Sequence, residues 1–495
     1  MLVLAAGQWP PAARLAAAAP PDRPSKVAAW VIEQTAAGAT AEFLVVLAEQ
    51  ADLSGAAGIS DRRARGRYVY DRLWRTAQAT QGPLLAWLAA NNVPHRAYYI
   101  VNLIWVKGNA SVVAELAARA DVARVEGNPR ITNSLSQLAA QAALPAAPTG
   151  VESSLEYVKA NEVWDLGFTG QGIVIGGQDT GYQWDHPALK PHYRGWNGSA
   201  ADHDFNWHDS IHEDNVSCAG DSPTPCDDHG HGTHTMGTAV GDDGGANEIG
   251  MAPGAQWIGC RNMDEGIGTP ATYLECFEWF LAPYPVDGGP EDGNPDLAPD
   301  VTNNSWSCPP NEGCAVGTLQ AAVEAQRAAG IFTVVSAGNL GSGCSTVVDP
   351  PAVYDAAYTV GALNTGSDSI ANLSSRGPVL IDGSQRRKPD IAAPGTSIRS
   401  SLPGNTYGSL SGTSMAVPHV VGAVALLWSA RLELKNQISQ TEIVLNTSAF
   451  HVSSTTCGSI GWPNNTYGYG RLDVLAAVNV RLEHHYLPVI QRSGP

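Results

Sequence analysis

Short apolar runs alternate with helical stretches over residues 151–480, and this alternation constrains the fold more than any other feature of the sequence. Residues 173–177 and 331–336 are short and rich in β-branched residues, as buried strands are. Residues 322–329 and 417–430 are interpreted as helices. Strands that alternate with helices predict an α/β fold, in which a parallel sheet is covered by helices on both faces. Such sheets place their functional sites where strands end and helices begin.

Residues 41–132 follow a different pattern, which predicts a small N-terminal α+β domain. Its five predicted segments come in the order β-α-β-α-β. They are a strand at 42–47, a helix at 68–91, a strand at 97–106, a helix capped by Ser111 that runs to Ala120, and a strand at 122–131.

Three further segments lack the periodicity of a folded element. Residues 1–40 are rich in Ala and Pro and are interpreted as a leader. Because no positively charged stretch follows Met1, this leader is an atypical signal, a truncated start or a linker. Residues 133–150 are rich in Ala, Ser and Pro, which predicts a linker. Residues 481–495 form a short polar tail without an assigned role.

The net charge of −18 argues against a nucleic-acid-binding protein, which needs a basic face. Residues 1–150 hold 14 Lys and Arg against 10 Asp and Glu, a net charge of +4, and the remainder holds 15 against 37, a net charge of −22. No uninterrupted apolar stretch approaches the roughly 18 to 20 residues that cross a bilayer, so no membrane span is predicted.

All eight cysteines lie in the acidic part of the chain. An even number confined to one region indicates a compartment in which disulfide bonds form, although some cysteines could be free buried thiols. Cys218 with Cys226 and Cys308 with Cys314 are close in sequence, which predicts at least two disulfide bonds. The other four cysteines, for which no pairing is predicted, are Cys260, Cys276, Cys344 and Cys457.

Three short motifs lie far apart in the chain, and each contains a residue type used in acid–base chemistry. Asp179 follows the apolar strand at 173–177, His231 lies among Asp and His residues, and Ser414 begins an apolar helix. A hydroxyl nucleophile needs a base to take its proton and a buried carboxylate to hold that base in one tautomer. Backbone N–H groups at the start of a helix also favour a developing oxyanion. The three residues therefore predict nucleophilic catalysis.

Each of the three residues also has a simpler interpretation. Asp179 could end an ordinary turn, and Ser414 could be a plain helix cap. The alternative for His231 is a zinc site, because three His and two Asp lie within residues 227–234. This segment lacks the His-Glu-x-x-His arrangement of helical zinc proteases, so no metal ligand is predicted.

Taken together, the motifs resemble those of the subtilisin-like serine proteases. Residues 179–181, 231–234 and 412–418 match the three signature motifs, in the Asp, His, Ser order of that family. Residues 336–339 (Ser-Ala-Gly-Asn) resemble the oxyanion segment of the family. That resemblance implies that Asn339 donates a hydrogen bond to the oxyanion.

Two further segments resemble the backbone edges between which this family binds an extended substrate. The substrate-binding residues implied are Ser305, Trp306 and Ser307 on one edge and Gly266, Ile267 and Gly268 on the other. Ser307 stands where the family commonly has glycine, which leaves open the shape of the first specificity pocket, the pocket for the residue before the scissile bond. The resemblance covers residues 151–480, and residues 257–283 are most similar to the branch that contains bacillopeptidase F.

The resemblance implies a subtilisin-like fold and the hydrolysis of peptide bonds in polypeptides through an acyl-enzyme intermediate. Ser414 would be the nucleophile, His231 the general base and acid, and Asp179 the group that orients the imidazole. Residues 41–132 resemble the propeptide that inhibits many subtilisins, and their positive charge opposes the negative charge of the remaining chain. A secreted zymogen that cleaves itself within residues 133–150 is therefore expected.

The catalytic chemistry that the resemblance implies needs no cofactor. Members of this family often bind calcium, so the resemblance is compatible with a structural calcium ion. The loops of Asp242-Asp243 and Glu291-Asp292 offer oxygen ligands, but solvated surface charge is the simpler explanation of these residues. Two alternatives to an active endopeptidase are a catalytically silent binding module and an exopeptidase that trims peptide ends. For residues 41–132 the alternative is a permanently attached accessory domain.

Overall fold

The computed structural model describes residues 26–133, 150–215 and 217–481. The predicted linker and tail therefore lie almost entirely outside the described residues, as does the predicted leader up to residue 25. The strands are β1 Ala41–Leu47, β2 His95–Tyr98, β3 Leu103–Gly108, β4 Val122–Gly127, β5 Ile131–Thr132, β6 Gly150–Val151, β7 Val174–Asp179, β8 Trp207–Asp209, β9 Asn247–Glu248, β10 Gln256–Arg261, β11 Met263–Asp264, β12 Ile267–Gly268, β13 Val301–Asn304, β14 Phe332–Ser336, β15 Tyr358–Leu363, β16 Ile391–Pro394, β17 Ile398–Leu402 and β18 Thr406–Leu410. The α-helices are α1 Ala29–Gln34, α2 Arg62–Thr80, α3 Gly82–Ala90, α4 Ala110–Ala118, α5 Ser153–Tyr157, α6 Ala160–Asp165, α7 His231–Val240, α8 Pro270–Leu281, α9 Gln320–Ala329, α10 Thr413–Ala430, α11 Ile438–Ser448 and α12 Val474–Asn479.

A seven-stranded sheet forms the centre of the larger unit, in the order β16-β15-β14-β13-β7-β10-β8. Every neighbouring pair in this sheet is parallel. Successive residues of a strand point to opposite faces, and Val334 and Val335 of β14 accordingly belong to different cores. Val334 lies in the core that α10 fills, whereas Val335 lies in the core that α8 and α9 fill. The predicted parallel α/β fold with helices on both faces is confirmed.

The helix α10 is buried along nearly its whole length and packs against β13, β14, β15 and β16. Among the described residues it is the one helix long and apolar enough to span a membrane, but most of it is buried inside the protein. Small residues allow this close packing. A Cβ atom at Gly422 would lie 2.3 Å from the Cβ atom of Met251, so a larger residue would push α10 away from the 249–255 segment.

The N-terminal module, residues 26–133, has its own antiparallel sheet in the order β2-β3-β1-β4. Its start differs from the predicted boundary at residue 41. Lys26 and Ala28 exchange backbone hydrogen bonds with Val125 of β4, and Val31 of α1 is fully buried. Residues 26–40 are therefore part of the folded module rather than of a leader.

Four predicted elements of this module have different limits in the structure. The predicted helix at 68–91 is two helices, because Pro83 lacks the N–H that would continue α2 and fits the first turn of α3 instead. The predicted strand at 97–106 is the hairpin β2–β3, with a turn at residues 99–102. Asn109, and not Ser111, caps α4, since its side chain accepts from the second and third N–H groups of the helix. The predicted strand at 122–131 ends at Gly127 as β4.

The module packs on α8 and α9 of the larger unit through a shared apolar core. Leu44 and Tyr98 of the module belong to the same cluster of buried residues as Phe277 and Val323. At the edge of this core, cationic side chains of α2 reach the other unit. Arg62 donates to the carbonyl oxygens of Ala298 and Pro299, Arg65 to that of Asn436, and Arg67 pairs with Asp296.

All eight cysteines form disulfide bonds. Both predicted pairs are present, Cys218 with Cys226 and Cys308 with Cys314. The sequence did not indicate the other two pairs, Cys260 with Cys276 and Cys344 with Cys457. Spacing could not reveal them, because 16 and 113 residues separate their members and only the fold brings these together.

Candidate active site

Asp179 and His231 form a buried hydrogen-bonded pair at the carboxyl end of the central sheet. Asp179 is the last residue of β7, and His231 is the first residue of α7. The Nδ1 atom of His231 lies 2.7 Å from Oδ1 of Asp179, and both side chains are 0% exposed. Because an ionised carboxylate can only accept, Nδ1 is the donor, and in the neutral form of the ring Nε2 is then the nitrogen that carries no proton.

Small residues bring these two elements together. A Cβ atom at Gly232 would lie 2.1 Å from the carbonyl oxygen of Gly181, so only glycine allows α7 to approach the segment after β7. The Oδ1 atom of Asp179 also accepts from the backbone N–H of Thr180 at 2.8 Å. The carboxylate is therefore held by more than the imidazole.

Ser414 lies in the first turn of α10, which packs against α7. Its Oγ donates to the carbonyl oxygen of Ser305 at 3.1 Å, and Oγ of Ser305 donates to the carbonyl oxygen of Ser414 at 3.0 Å. Nε2 of His231 is buried and has no hydrogen-bond partner among the described residues. The structure thus joins Asp179 to His231 and joins Ser414 to the 305–307 edge, but it has no hydrogen bond between Ser414 and His231.

Asn339 follows β14 and contacts the residue before Ser414. Its Oδ1 accepts from both the backbone N–H and the hydroxyl of Thr413, each at 2.9 Å. A backbone N–H can only donate, so the amide oxygen must face Thr413 and the amide nitrogen is left as a donor. Asn339 and Ser414 line the same cavity.

A segment of the N-terminal module lies along one of the two predicted substrate edges. Ile131 and Thr132 of β5 pair antiparallel with Gly268 and Ile267 of β12. The next residue, Asn133, donates its backbone N–H to the carbonyl oxygen of Gly266 at 3.1 Å. Backbone pairing of this kind is strand addition to an exposed edge.

The second predicted edge contacts the same segment. The backbone N–H of Ser307 donates to Oδ1 of Asn133 at 2.8 Å. The ring of Trp306 is 2% exposed and stacks on Tyr273 with 4.0 Å between ring centroids. Trp306 is therefore part of the buried core.

Comparison with known proteins identifies the family of this chain. The model of the subtilase family matches residues 170–470. The chain belongs to the subtilase family. Bacillopeptidase F of Bacillus subtilis (strain 168) is 36% identical over 83% of this chain and 28% of its own length. Subtilisin DY of Bacillus licheniformis is 30% identical over 61% of this chain and 94% of its own length, and subtilisin E of Bacillus subtilis (strain 168) is 29% identical over 61% and 68%.

These similarities confirm the predicted family, the similarity to bacillopeptidase F and the subtilisin-like fold. Residues 170–470 are a subtilase domain, a serine endopeptidase domain by family. The chain spans 28% of the length of bacillopeptidase F, so that protein shares one part of its chain with this subtilase.

Asp227 and His234, which lie close to His231 in the sequence, have partners within the protein. The carboxylate of Asp227 accepts from the N–H and hydroxyl of Thr233, at 2.9 and 2.6 Å. Nε2 of His234 lies 2.9 Å from the carbonyl oxygen of Ile398, and burial lowers the pKa of His234 to about 3. Within the described ranges, no group of three or more His, Cys, Asp or Glu is arranged to hold a metal ion.

In the loops considered as calcium sites, Asp carboxylates also accept hydrogen bonds from nearby residues of the protein. Oδ1 of Asp242 accepts from the N–H of Gly244, and Asp243 accepts from Gly245 and Asn247. These contacts form the loop itself. Asp292 likewise accepts from the N–H of Gly289.

Three residues of the site and one residue that contacts the N-terminal module were not found from the sequence. Asn133 lies between the two edges, Glu278 of α8 accepts from the N-terminal module, and Glu312 and Asp349 line the cavity beside Ser414. Only Glu312 had a usable signal, because it lies between the closely spaced Cys308 and Cys314. The others depend on contacts between distant segments.

Proposed function

We propose that this protein is a secreted serine endopeptidase made as a self-processing zymogen, with Asp179, His231 and Ser414 as its catalytic triad. The observation that carries the proposal is the 2.7 Å hydrogen bond between two fully buried side chains, Asp179 and His231, which makes Nδ1 of His231 the donor, while Nε2 has no hydrogen-bond partner among the described residues. A neutral imidazole so held is a general base for a hydroxyl.

In the proposed mechanism Ser414 first turns from the carbonyl oxygen of Ser305 toward His231. Nε2 of His231 then takes the hydroxyl proton as Oγ attacks the scissile carbonyl carbon, and the carboxylate of Asp179 stabilises the imidazolium. The amide nitrogen of Asn339 and the backbone N–H of Ser414 stabilise the oxyanion. The imidazolium returns the proton to the leaving amine, and water hydrolyses the acyl-enzyme by the same steps.

The N-terminal module would act as the inhibitor of the zymogen. Supporting this role, β5 adds to β12 and Asn133 lies between the two substrate edges, so a polypeptide substrate would meet an occupied cleft. Because the chain continues from Asn133 toward residue 150, we propose self-cleavage within residues 133–150. Sequencing the N-terminus of the secreted enzyme tests this, and an active enzyme that retains residues 26–133 covalently would contradict it.

Secretion is supported by the disulfide bonds of all eight cysteines, since such bonds persist in oxidising compartments. Recovery of the protein from the medium, fully oxidised, is the expected result. Disulfide-free protein confined to the cytoplasm would contradict the proposal.

A fluorophosphonate that labels activated serines tests the triad directly. We expect labelling of the processed protein at Ser414, none in Ser414→Ala, and internal cleavage of a denatured protein substrate. Absence of labelling would favour a silent binding module. Labelling together with removal of terminal residues alone would favour an exopeptidase.

A further inference from the structure

A cavity of about 440 Å³ opens beside Ser414, between the segment that carries Ser305 and the segment that carries Asn339. Two carboxylates, Glu312 and Asp349, are among its lining residues. None of the described residues that line it is Lys, Arg or His. The cavity is therefore a negatively charged recess next to the proposed nucleophile.

The position of this cavity relative to Ser414 and Asn339 indicates which residue of a substrate would occupy it. The residue before the scissile bond supplies the carbonyl carbon that Ser414 attacks and the oxygen that Asn339 would stabilise. Its side chain must therefore leave the backbone between the 305–307 edge and residues 336–339. Both segments line the cavity, which makes it the first specificity pocket.

Asp349 is an unpaired carboxylate in the wall of this pocket. It is only 8% exposed, and its side chain makes no hydrogen bond or ion pair with any residue that the structure describes. Burial, and secondarily the carboxylate of Glu312, raise the pKa of Asp349 to about 6. A carboxylate that is so little exposed and has no partner is poorly solvated, so a cation that entered the pocket would supply the missing partner.

Glu312 adds a second carboxylate at a fixed position. It ends the turn Pro310–Glu312 inside the loop that the Cys308–Cys314 disulfide bond closes. Its Oε2 accepts from the backbone N–H of Thr132 at 2.9 Å, so this side chain already contacts the strand that lies in the cleft. The disulfide bond restricts how far Glu312 can move from the pocket.

We propose that Asp349, assisted by Glu312, makes this enzyme prefer Lys or Arg immediately before the scissile bond. The inference rests on the proposed function, because it names the substrate class of the same site. A long cationic side chain in the pocket pairs with Asp349, whereas an apolar side chain of similar size leaves that carboxylate buried and unpaired. A carboxylate in this pocket is an established way for serine proteases to select a basic residue.

The preference has a consequence for processing. Residues 131–150 contain no Lys or Arg, so this segment is a poor substrate by the same criterion. Self-cleavage there proceeds within one molecule, because the tether supplies an effective concentration of millimolar order. Cleavage of the same segment in a Ser414→Ala molecule by a second, processed molecule is expected to be slow.

The test compares peptides that differ only before the scissile bond, with Lys or Met at that position. We expect processed enzyme to have a larger kcat/KM for the Lys peptide, and Asp349→Asn to lower the Lys-to-Met ratio by about 10- to 100-fold. Glu312→Gln should lower the ratio less. Asp355→Asn removes an exposed carboxylate six residues away and serves as the control, with the ratio of the parent enzyme.

A binding measurement tests the same inference in a variant that has no measurable peptidase activity. The cavity is present with the N-terminal module in place. p-Aminobenzamidine, a cationic fluorophore, should therefore bind the unprocessed Ser414→Ala protein, and should bind it at least about tenfold more weakly when Asp349→Asn is added. An unchanged Lys-to-Met ratio or unchanged p-aminobenzamidine binding in Asp349→Asn overturns this inference alone. Absence of fluorophosphonate labelling and of any peptide cleavage overturns the proposed function as well.

Discussion

Asn339 illustrates how a single side chain is oriented by its neighbours. Thr413 holds the amide oxygen through two hydrogen bonds, so the amide nitrogen is the end left to interact with a bound carbonyl. The same contact ties the segment after β14 to the start of α10, which carries Ser414. The orientation of this donor is therefore established before any substrate binds.

Replacing Asn339 by Ala should lower kcat about 100- to 1000-fold with a smaller change in KM, a magnitude transferred from an oxyanion-hole asparagine of subtilisin itself. The reason is that the donor acts on charge that develops during the reaction. Steady-state kinetics on a peptide substrate measure the effect. Gln320→Ala, an exposed amide on α9, is the control. An unchanged kcat for Asn339→Ala would remove Asn339 from the mechanism.

The sequence predicted most residues of the candidate site but not all of their contacts. The pairing of Asp179 with His231 was expected, because both lie in motifs whose spacing and context fit one chemistry. The bond from Ser414 to Ser305 was not expected, since 109 residues separate them and nothing local signals it. Asp349 was missed for a related reason. An Asp before two prolines resembles an ordinary turn until the fold places it against the cavity.

Among the elements, the β2–β3 hairpin shows how tertiary contacts override local signals. Residues 97–106 are rich in β-formers, and the turn at 99–102 contains no Gly or Pro to mark it. Its backbone N–H groups are satisfied from outside, because those of Tyr99 and Ile100 both donate to Oε2 of Glu278 on α8. In contrast, β7 and β14 were predicted nearly to their ends, since their apolar runs alone define buried strands.

Removing the Glu278 side chain should weaken the inhibition by the N-terminal module. Glu278→Ala leaves the two buried N–H groups of the turn without an acceptor, at about 1–3 kcal/mol each. The inhibition constant of the processed, noncovalent complex should rise by at least about tenfold. Inhibition of peptide hydrolysis measures it.

Two comparison variants sharpen this measurement. Glu278→Gln retains an acceptor oxygen, so the module should inhibit this variant more tightly than Glu278→Ala. Glu433→Ala alters an exposed carboxylate on a different surface and should match the parent. Equal inhibition of all four proteins by the module would show that the turn does not depend on Glu278.

For the whole molecule, the disulfide bonds differ in how much of the chain they restrict. Cys344–Cys457 spans 113 residues, whereas Cys308–Cys314 spans 6. A purely entropic account gives about 4–5 kcal/mol for the long loop and about 2 kcal/mol for the short one. Replacing both cysteines of each pair by Ser, in the Ser414→Ala protein, should therefore lower the free energy of unfolding more for the long loop. Denaturant unfolding measures it, and the reverse order would contradict the account.

Two fully buried histidines should make the whole fold sensitive to acid. Burial lowers the pKa of His234 to about 3 and that of His419 to about 4, so the unfolded chain binds these protons first as pH falls. Their contribution to stability is present above about pH 6.5 and is lost toward pH 4, at about 1.4 kcal/mol per pH unit for each ring. Burial raises the pKa of Asp228 and of Asp349 to about 6, which acts in the opposite direction.

A difference measurement isolates one of these rings. In the Ser414→Ala protein, the destabilisation caused by His419→Gln should shrink by about 1.4 kcal/mol for each unit that the pH falls between about 6 and 4. Urea unfolding at several pH values measures it. A destabilisation that stays constant over this range would show that His419 does not stay neutral in the folded protein.

The antiparallel pairing of β5 with β12 also affects how peptidase activity would develop over time in a solution of these molecules. Cutting the chain beyond Asn133 does not break the ladder, the shared apolar core or the arginine contacts of α2, so each nicked molecule would stay silent until its own module departs. The first free enzymes would then digest the modules of the others. Activity should accordingly appear after a lag and rise in a self-accelerating burst, with a delay that shortens as the protein becomes more concentrated.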